Sequence, residues 1–255
     1  MTNRIKRLRI FAGPNGSGKS TLYDYLVKTH VFNSYFHINP DFIARDLPVS
    51  FNLDNWPIPV TENEMGDFLD ASPFQALVPF RLSETIVLHN SAIVLKDRAF
   101  RDISYLAAAL ADFLRNKMLE SDSSFSFESV FSHPSKIDEI EAAKKAGYKT
   151  YLYFIATSDP LINLQRVQNR VECGGHDVPE AKVRERYYRT MDNCYKAFLL
   201  ADRVFFFDNS TLNLSGSYEF FAEKTGGKLH IVSPQTAPQW FGEYVLKKMQ
   251  LDERV

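Results

Sequence analysis

One stretch, Gly13-Pro14-Asn15-Gly16-Ser17-Gly18-Lys19-Ser20, constrains this chain more than any other. It satisfies G-x-x-x-x-G-K-[ST] in full, follows the apolar run RLRIFAG, and opens a helical pattern over Ser20 to Lys28. Glycines let the backbone curl until successive N–H groups point inward, and the helix that starts there adds its positive end. A loop of this kind cradles phosphates. Gly13, Pro14, Asn15, Gly16, Ser17, Gly18, Lys19, Ser20 and Thr21 are therefore the candidate nucleotide-binding residues. Lys19 can reach the β- and γ-phosphates of ATP or GTP, and the Ser20 hydroxyl can ligate Mg²⁺.

Strand and helix patterns alternate along the rest of the chain. YFHINPD, SFSFESVF, KTYLYFIAT and RVFFFDNS read as further strands. HPSKIDEIEAAKKAGY reads as a helix closed by Gly147, and DPLINLQRVQNRV and PEAKVRERYYRTMDNCYKAFLLA as two more. Such alternation implies right-handed crossovers and a parallel sheet covered on both faces. The expected fold is an α/β P-loop NTPase of the nucleotide-kinase type, a three-layer sandwich on a mostly parallel, five-stranded central sheet. It is expected as a single domain over 1–255 with two additions. The segment from about 46 to 122 carries Pro48, Pro57, Pro59, Pro73 and Pro79, too interrupted for one long helix. It then places Ile103, Leu106, Ala107, Leu110, Phe113 and Leu114 on one helical face, and reads as a helical insertion. From about 216 to 255 a strand, a KTGGK turn, the strand LHIV and a helix form a small β-hairpin and helix extension. Trp240, Phe241, Tyr244 and Val245 are its expected packing residues.

Charge and cysteine content narrow the function classes. Lys+Arg total 30 against 31 Asp+Glu, a net charge of -1, so no global basic field points to nucleic acid. Only Cys173 and Cys194 occur, which implies no disulfide framework and fits a reducing cytoplasm. No run of about 18 apolar residues is present to span a membrane, and the N-terminus lacks a secretory core. A soluble, cytoplasmic protein is expected.

Phosphoryl transfer needs more than the loop. A second Mg²⁺ group would be an acid ending an apolar strand, and Glu128 and Asp208 stand closest to that description. A carboxylate beside the acceptor hydroxyl contributes about 10²–10⁴-fold as a base. Asp41, at the end of the second strand pattern, is placed for that role or for capping the next helix. Arg166 and Arg170 lie four apart on one helix, followed by the turn Cys173-Gly174-Gly175-His176. Pro179 and Glu180 open the next helix, which carries Arg184, Arg186 and Arg189. A glycine hinge between two arginine-bearing helices suits a lid closing on phosphates, where an arginine can contribute about 10³–10⁵-fold. His176 could contact a ligand or settle the turn, and has no metal-ligand partners at useful spacing.

In order, AGPNGSGKST, INPDFIA, FSFESVFSHPSK, AAKKAGYKTYLYFIAT, NRVECGGHDVPEAKVRERYYR and DNS resemble the zeta toxin family of P-loop kinases. The likeness is to the branch of zeta-toxin-like ATPases with a Gly-Gly-His-Asp-Val-Pro lid. It covers about 9–210, interrupted by the insertion. The resemblance implies Mg²⁺-assisted transfer of phosphate from ATP or GTP to a small-molecule hydroxyl. In characterised zeta toxins that acceptor is a hydroxyl of UDP-N-acetylglucosamine. It further implies Asp41 as base, and Glu128, with Ser129 beside it, as holding the acceptor or the metal. Arg166, Arg170, Arg186 or Arg189 would meet the transferred phosphate, and an antitoxin-like inhibitor protein would join the small-molecule acceptor as a partner. Ser129 stands where the family often has Thr, and the insertion departs from the family where the acceptor pocket is expected. Two rival readings stay open. A nucleotide switch would hydrolyse without an acceptor, and a nucleic-acid end kinase would show steep salt dependence.

Overall fold

The structure, a computed structural model, describes residues 5–33, 36–97, 99–100, 103–172, 178–211 and 218–252. The strands are β1 (Arg7–Ala12), β2 (His37–Ile38), β3 (Phe51–Asn52), β4 (Ile86–His89), β5 (Ala92–Leu95), β6 (Phe125–Ser129), β7 (Lys149–Ala156), β8 (Arg203–Asp208), β9 (Glu219–Thr225) and β10 (Lys228–Ile231). The longer helices are α1 (Lys19–Lys28), α2 (Pro40–Asp46), α3 (Glu62–Ala71), α4 (Ser104–Glu120), α5 (Ser135–Lys145), α6 (Pro160–Glu172) and α7 (Glu180–Leu200). A last helical stretch runs from Gln239 to Asp252 and includes a π-helical turn over Gly242–Leu246. The chain divides into two compact units, Met1–Ser34 with Glu128–Val255, and Tyr35–Phe127.

In the first unit the strands run in the order β10-β9-β8-β7-β1. β1, β7 and β8 are parallel, as the strand–helix alternation requires, and β9 and β10 are antiparallel additions. Alternation along each strand builds two apolar faces. On one face Phe11, Tyr153 and Phe205 stack in a row, with centroids 4.8 and 5.0 Å apart, and Leu22, Tyr23 and Leu26 of α1 cover its inner part. On the other, Phe154, Phe206 and Phe221 gather around Trp240 and Phe241 of the last helical stretch. The C-terminal hairpin thus lengthens the main sheet. Its two-residue turn is Gly226-Gly227, at φ 57° and 78°, the left-handed pair that suits the twist of a tight hairpin. Gly147, at φ 81°, closes α5 as expected, with its N–H bonded to the Lys144 carbonyl.

The second unit holds β2 in parallel with the start of β6, and α4 packed against α2 and α3. Pro40 occupies the first turn of α2, and the Asn39 side chain caps it by accepting the Asp41 N–H at 2.8 Å. This corrects two expectations for Asp41. The β2 strand ends at Ile38, so Asp41 lies within the helix, and the cap is Asn39. The insertion is also less purely helical than expected: β3, β5 and β4 form a three-stranded antiparallel sheet. Its β4–β5 hairpin turns on Asn90 and Ser91, at φ 48° and 60°. A Ser in the second turn position is a weak hairpin signal, which is why the sequence pattern did not reveal it. α4 buries the predicted face but also Arg115 and Lys117. Each has an anionic partner, Asp112 for Arg115 and Glu64, at 2.8 Å, for Lys117, which offsets the desolvation of its charge. No helix of the described residues is long and apolar enough to cross a membrane.

The parallel pair β7–β8 is pinned at its N-terminal edge by Asp202. Its Oδ2 accepts from the Thr150 N–H at 2.8 Å and from Thr150 Oγ1 at 2.9 Å, and Lys144 Nζ lies 3.2 Å from Oδ1. Burial alone would raise the carboxyl pKa, but these donors outweigh it and hold the carboxyl below its usual value. Asp202→Ala is expected to cost about 1–3 kcal/mol at neutral pH, because Thr150 loses its buried acceptor. A depressed carboxyl contributes its charge-linked stability above the unfolded value of about 3.9 and loses it as pH falls through the folded one. Urea midpoints of both proteins at pH 7 and pH 3 check this: the gap should narrow in acid.

Candidate phosphate-binding site

The glycine loop joins β1 to α1 in the first unit, where it lies against β7. A Cβ on Gly13 would sit 2.0 Å from the Ile155 carbonyl oxygen and 2.7 Å from Ser17 Oγ, so no side chain fits there. The Gly13 N–H donates to the Ser129 carbonyl at 3.3 Å, and the Ser17 N–H to the Pro14 carbonyl at 3.2 Å. Gly18 precedes α1 with φ 98°, left-handed backbone that favours glycine. Lys19 Nζ curls back to donate to the Gly13 and Pro14 carbonyls, both at 2.9 Å. The first turn of α1 holds no acidic residue and no side-chain cap, so its amide end keeps its positive field. All of this favours an anion.

Two oxygen donors meet at the loop. Ser20 Oγ donates to Glu128 Oε2 at 2.7 Å, and Glu128 is only 6% exposed. A hydroxyl and a buried carboxylate form a hard-oxygen donor set, and Mg²⁺ characteristically takes one or two protein oxygens with phosphates and waters completing its shell. The residues present therefore fit that ion. Among the described residues no group of three or more His, Cys, Asp or Glu is placed to hold a metal. Asp208, the other acid ending a strand, is committed elsewhere. Its Oδ1 accepts from Trp240 Nε1 and Ser210 Oγ, both at 2.8 Å, and its Oδ2 from the Ser210 N–H at 3.0 Å. Ser129 serves the backbone: its Oγ accepts the N–H of Phe131, a buried residue held at φ 64°.

The arginines of the expected lid separate by environment. Arg189 and Arg184 form exposed i,i+4 pairs with Glu185 and Glu180 on α7. Arg170 is exposed on α6. Arg166 is half-buried, its Cβ 3.4 Å from where a Gly16 Cβ would stand, and its Nη1 is buried without a hydrogen-bond partner among the described residues. Burial pushes its pKa down, against the pull of Tyr218 and Asp208. Arg186 is half-buried and in no ion pair among the described residues. It shares a stripe of α7 with Thr190 and Asn193, which donate to the Val130 and Phe131 carbonyls at 2.6 and 3.0 Å. That stripe runs beside the segment leaving Glu128. Cys173, Gly174, Gly175 and His176 lie outside the described residues. On either side of them, Leu164 and Val167 of α6 meet Val178 and Val183 in a small apolar cluster.

The first unit thus gathers Gly13 to Thr21, Glu128, Ser129 and Arg166. Asp41, exposed in the first turn of α2, belongs to the second unit. Four polar residues around the loop had no assigned role in the sequence reading: Thr157, Asn163, Asn209 and Tyr218. Asn209 lies within the quoted DNS segment and Thr157 ends the quoted AAKKAGYKTYLYFIAT, whereas Asn163 and Tyr218 follow no motif spacing.

Residues 97–214 match the model of the family described as Zeta toxin. An uncharacterized protein of Haemophilus influenzae is 38% identical over 63 residues, which are 25% of this chain and 45% of that protein. A chain of the AvrRxo1-ORF1:AvrRxo1-ORF2 complex, solved with sulphate ions and with ATP, superposes at TM-scores of 0.54 and 0.55 with 17% identity. That match covers 91% of this chain and 65% of the other, so the present chain spans less than two thirds of both relatives. A chain of the PezAT chromosomal toxin–antitoxin system of Streptococcus pneumoniae superposes at 0.50 with 13% identity, covering 98% and 86%. At such identities the structural likeness carries the fold, an α/β architecture on a mostly parallel sheet.

Gly13→Ala tests the loop geometry directly. Its methyl meets a backbone carbonyl of β7, which cannot swing aside, so the expected cost is about 1–3 kcal/mol with loss of ATP binding. Thermal unfolding and calorimetric titration with ATP would read both.

Proposed function

We propose, from the match of residues 97–214 to the zeta toxin family model, that the chain is a P-loop phosphotransferase moving the γ-phosphate of ATP to a small-molecule hydroxyl. The observation that carries this reading is the 2.7 Å pair of Ser20 Oγ and Glu128 Oε2 at the foot of the phosphate loop. A loop serving nucleotide storage alone has no need of a buried acid beside its metal-binding hydroxyl. Ser20 and Glu128 would hold Mg²⁺, which when bound neutralises charge on the β- and γ-phosphates.

The chain's own residues take the remaining roles. Loop amides and the α1 terminus bind phosphate oxygens, and Lys19 leaves the Gly13 and Pro14 carbonyls to meet them. Asp41 accepts the proton of the attacking hydroxyl. Arg166 and Arg186, which are in no ion pair among the described residues, meet the transferred phosphoryl group in preference to Arg189 and the exposed Arg170. The AvrRxo1 complex with ATP supports the choice of nucleotide. A sugar nucleotide of the UDP-N-acetylglucosamine type is the acceptor to test first. The toxin–antitoxin assembly of the pneumococcal neighbour supports an inhibitor protein as partner.

The test is ADP release from Mg²⁺-ATP, with and without UDP-N-acetylglucosamine, and the mass of the product. Lys19→Ala should abolish turnover. Asp41→Asn should keep ATP binding and lower transfer by about 10²–10⁴-fold. Normal transfer by folded Asp41→Asn protein would remove Asp41 as the base. Arg186→Ala should cut kcat by at least about 10²-fold, whereas Arg189→Ala, which loses only a surface pair, should stay within about twofold. Equal effects of the two would refute the division of the arginines. ADP release indifferent to sugar nucleotides and to other small hydroxyl compounds would favour the nucleotide switch instead.

A further inference from the structure

Two asparagines outside the phosphate-loop motif grip its backbone from opposite elements. Asn163, on α6 and fully buried, donates from Nδ2 to the Asn15 carbonyl at 2.6 Å. Asn209, just past β8, donates from Nδ2 to the Ser17 carbonyl at 2.8 Å. In a trans peptide plane the carbonyl and the following N–H point in opposite directions. Holding the Asn15 and Ser17 carbonyls toward the asparagines therefore turns the Gly16 and Gly18 N–H groups the other way, toward the phosphate side. Left to itself, a glycine-rich loop could flip either peptide at little steric cost.

We propose that Asn163 and Asn209 are positioning residues that hold the loop amides in their phosphate-binding orientation. This rests on the nucleotide-binding reading above. The Asn163 side chain and the Asn209 backbone are themselves held. Thr157 Oγ1 donates to Asn163 Oδ1, which leaves Nδ2 as the end that faces the loop, and Tyr187 Oη donates to the Thr157 carbonyl at 2.6 Å. The Asn209 N–H donates to the Ala156 carbonyl at 2.9 Å, and its neighbour Asp208 is tied to Trp240. A Cβ on Gly18 would stand 2.7 Å from Asn209 Nδ2, so the amide is pressed against the loop. An aspartate in either place would offer no donor, would face a carbonyl oxygen, and would add negative charge beside a bound anion. The two anchors also tie the loop to separate parts of the first unit, α6 with α7 through Asn163 and the C-terminal helical stretch through Asn209.

The experiment compares the full-length protein with Asn163→Asp, Asn209→Asp, Asn209→Ala and Asn209→Gln. Calorimetric Kd values for ATP, ADP and AMP in Mg²⁺, thermal midpoints, and the KM for ATP against kcat would be measured. The expected result is an ATP Kd raised at least about tenfold by each Asp variant, the scale of one lost hydrogen bond. The loss should be larger for ATP and ADP than for AMP, should appear in KM more than in kcat, and should be smaller in Asn209→Gln, which keeps a donor. Unchanged ATP affinity in folded Asn209→Asp protein would overturn the proposal. A loss equal for AMP and ATP that tracks the thermal midpoint would also overturn it, because it marks a purely structural role. If Asn163→Asp does not fold, the three Asn209 variants decide. Failure of the unmodified protein to bind ATP would instead sink the nucleotide-binding reading, and this proposal with it.

Discussion

The close approach of Gly13 to β7 is the contact on which the rest of the first unit depends. With no Cβ at Gly13, the loop can lie against the Ile155 carbonyl, and its N–H can reach the Ser129 carbonyl on the other side. The loop is thereby seated on β7 and on the end of β6 at once. That seating brings Ser20, at the start of α1, within hydrogen-bond distance of Glu128. It also places Gly16 and Gly18 beside Asn163, Arg166 and Asn209. The meeting of the Ser20 hydroxyl with a buried acid thus follows from one glycine that has no room for a methyl group.

The buried cations show which parts of the molecule are structural. Lys224 is buried and its pKa falls through burial, yet its Nζ donates to the carbonyls of Phe198, Leu199 and Ala201 at 2.6, 2.8 and 3.0 Å. It satisfies the orphan carbonyls at the end of α7 and ties that helix to β9. Arg115 and Lys117 are likewise matched within the second unit. Arg166 differs, because a buried nitrogen of its guanidinium has no partner among the described residues. A desolvated cation with an open donor at an anion-favouring loop is what the proposed phosphate-binding role of Arg166 rests on, whereas the matched cations fill structural roles. Cys194 is equally settled, fully buried with its thiol pKa pushed up, and has the character of an inert packing residue.

Much of the architecture could be read from the chain. Gly147 closed its helix where expected, the KTGGK segment turned on Gly226 and Gly227, and Trp240 and Phe241 became core residues. These features depend on local backbone preference or on large apolar groups, which announce themselves over a few residues. Harder to read were Asn39 taking the cap expected of Asp41, and the small sheet β3-β5-β4 within the proline-rich segment. Asn and Asp cap helices about equally well, and strands of two to four residues leave almost no periodicity to detect.

The sequence by itself determined that this chain has a phosphate loop between a strand and a helix, since a glycine-spaced loop ending in Lys19 and Ser20 carries its chemistry in consecutive residues. It also determined the parallel α/β plan, through the alternation of strand and helix patterns. Only the tertiary structure decided which acid joins Ser20, choosing Glu128 and committing Asp208 to Trp240 and Ser210. It alone separated Arg166 and Arg186 from the surface-paired Arg184 and Arg189, and brought Asn163 and Asn209 to the loop from 148 and 192 residues away. The physical reason is range. A side chain's residue type states what it can donate or accept, but burial and partners arise only when distant segments pack, and those decide its role.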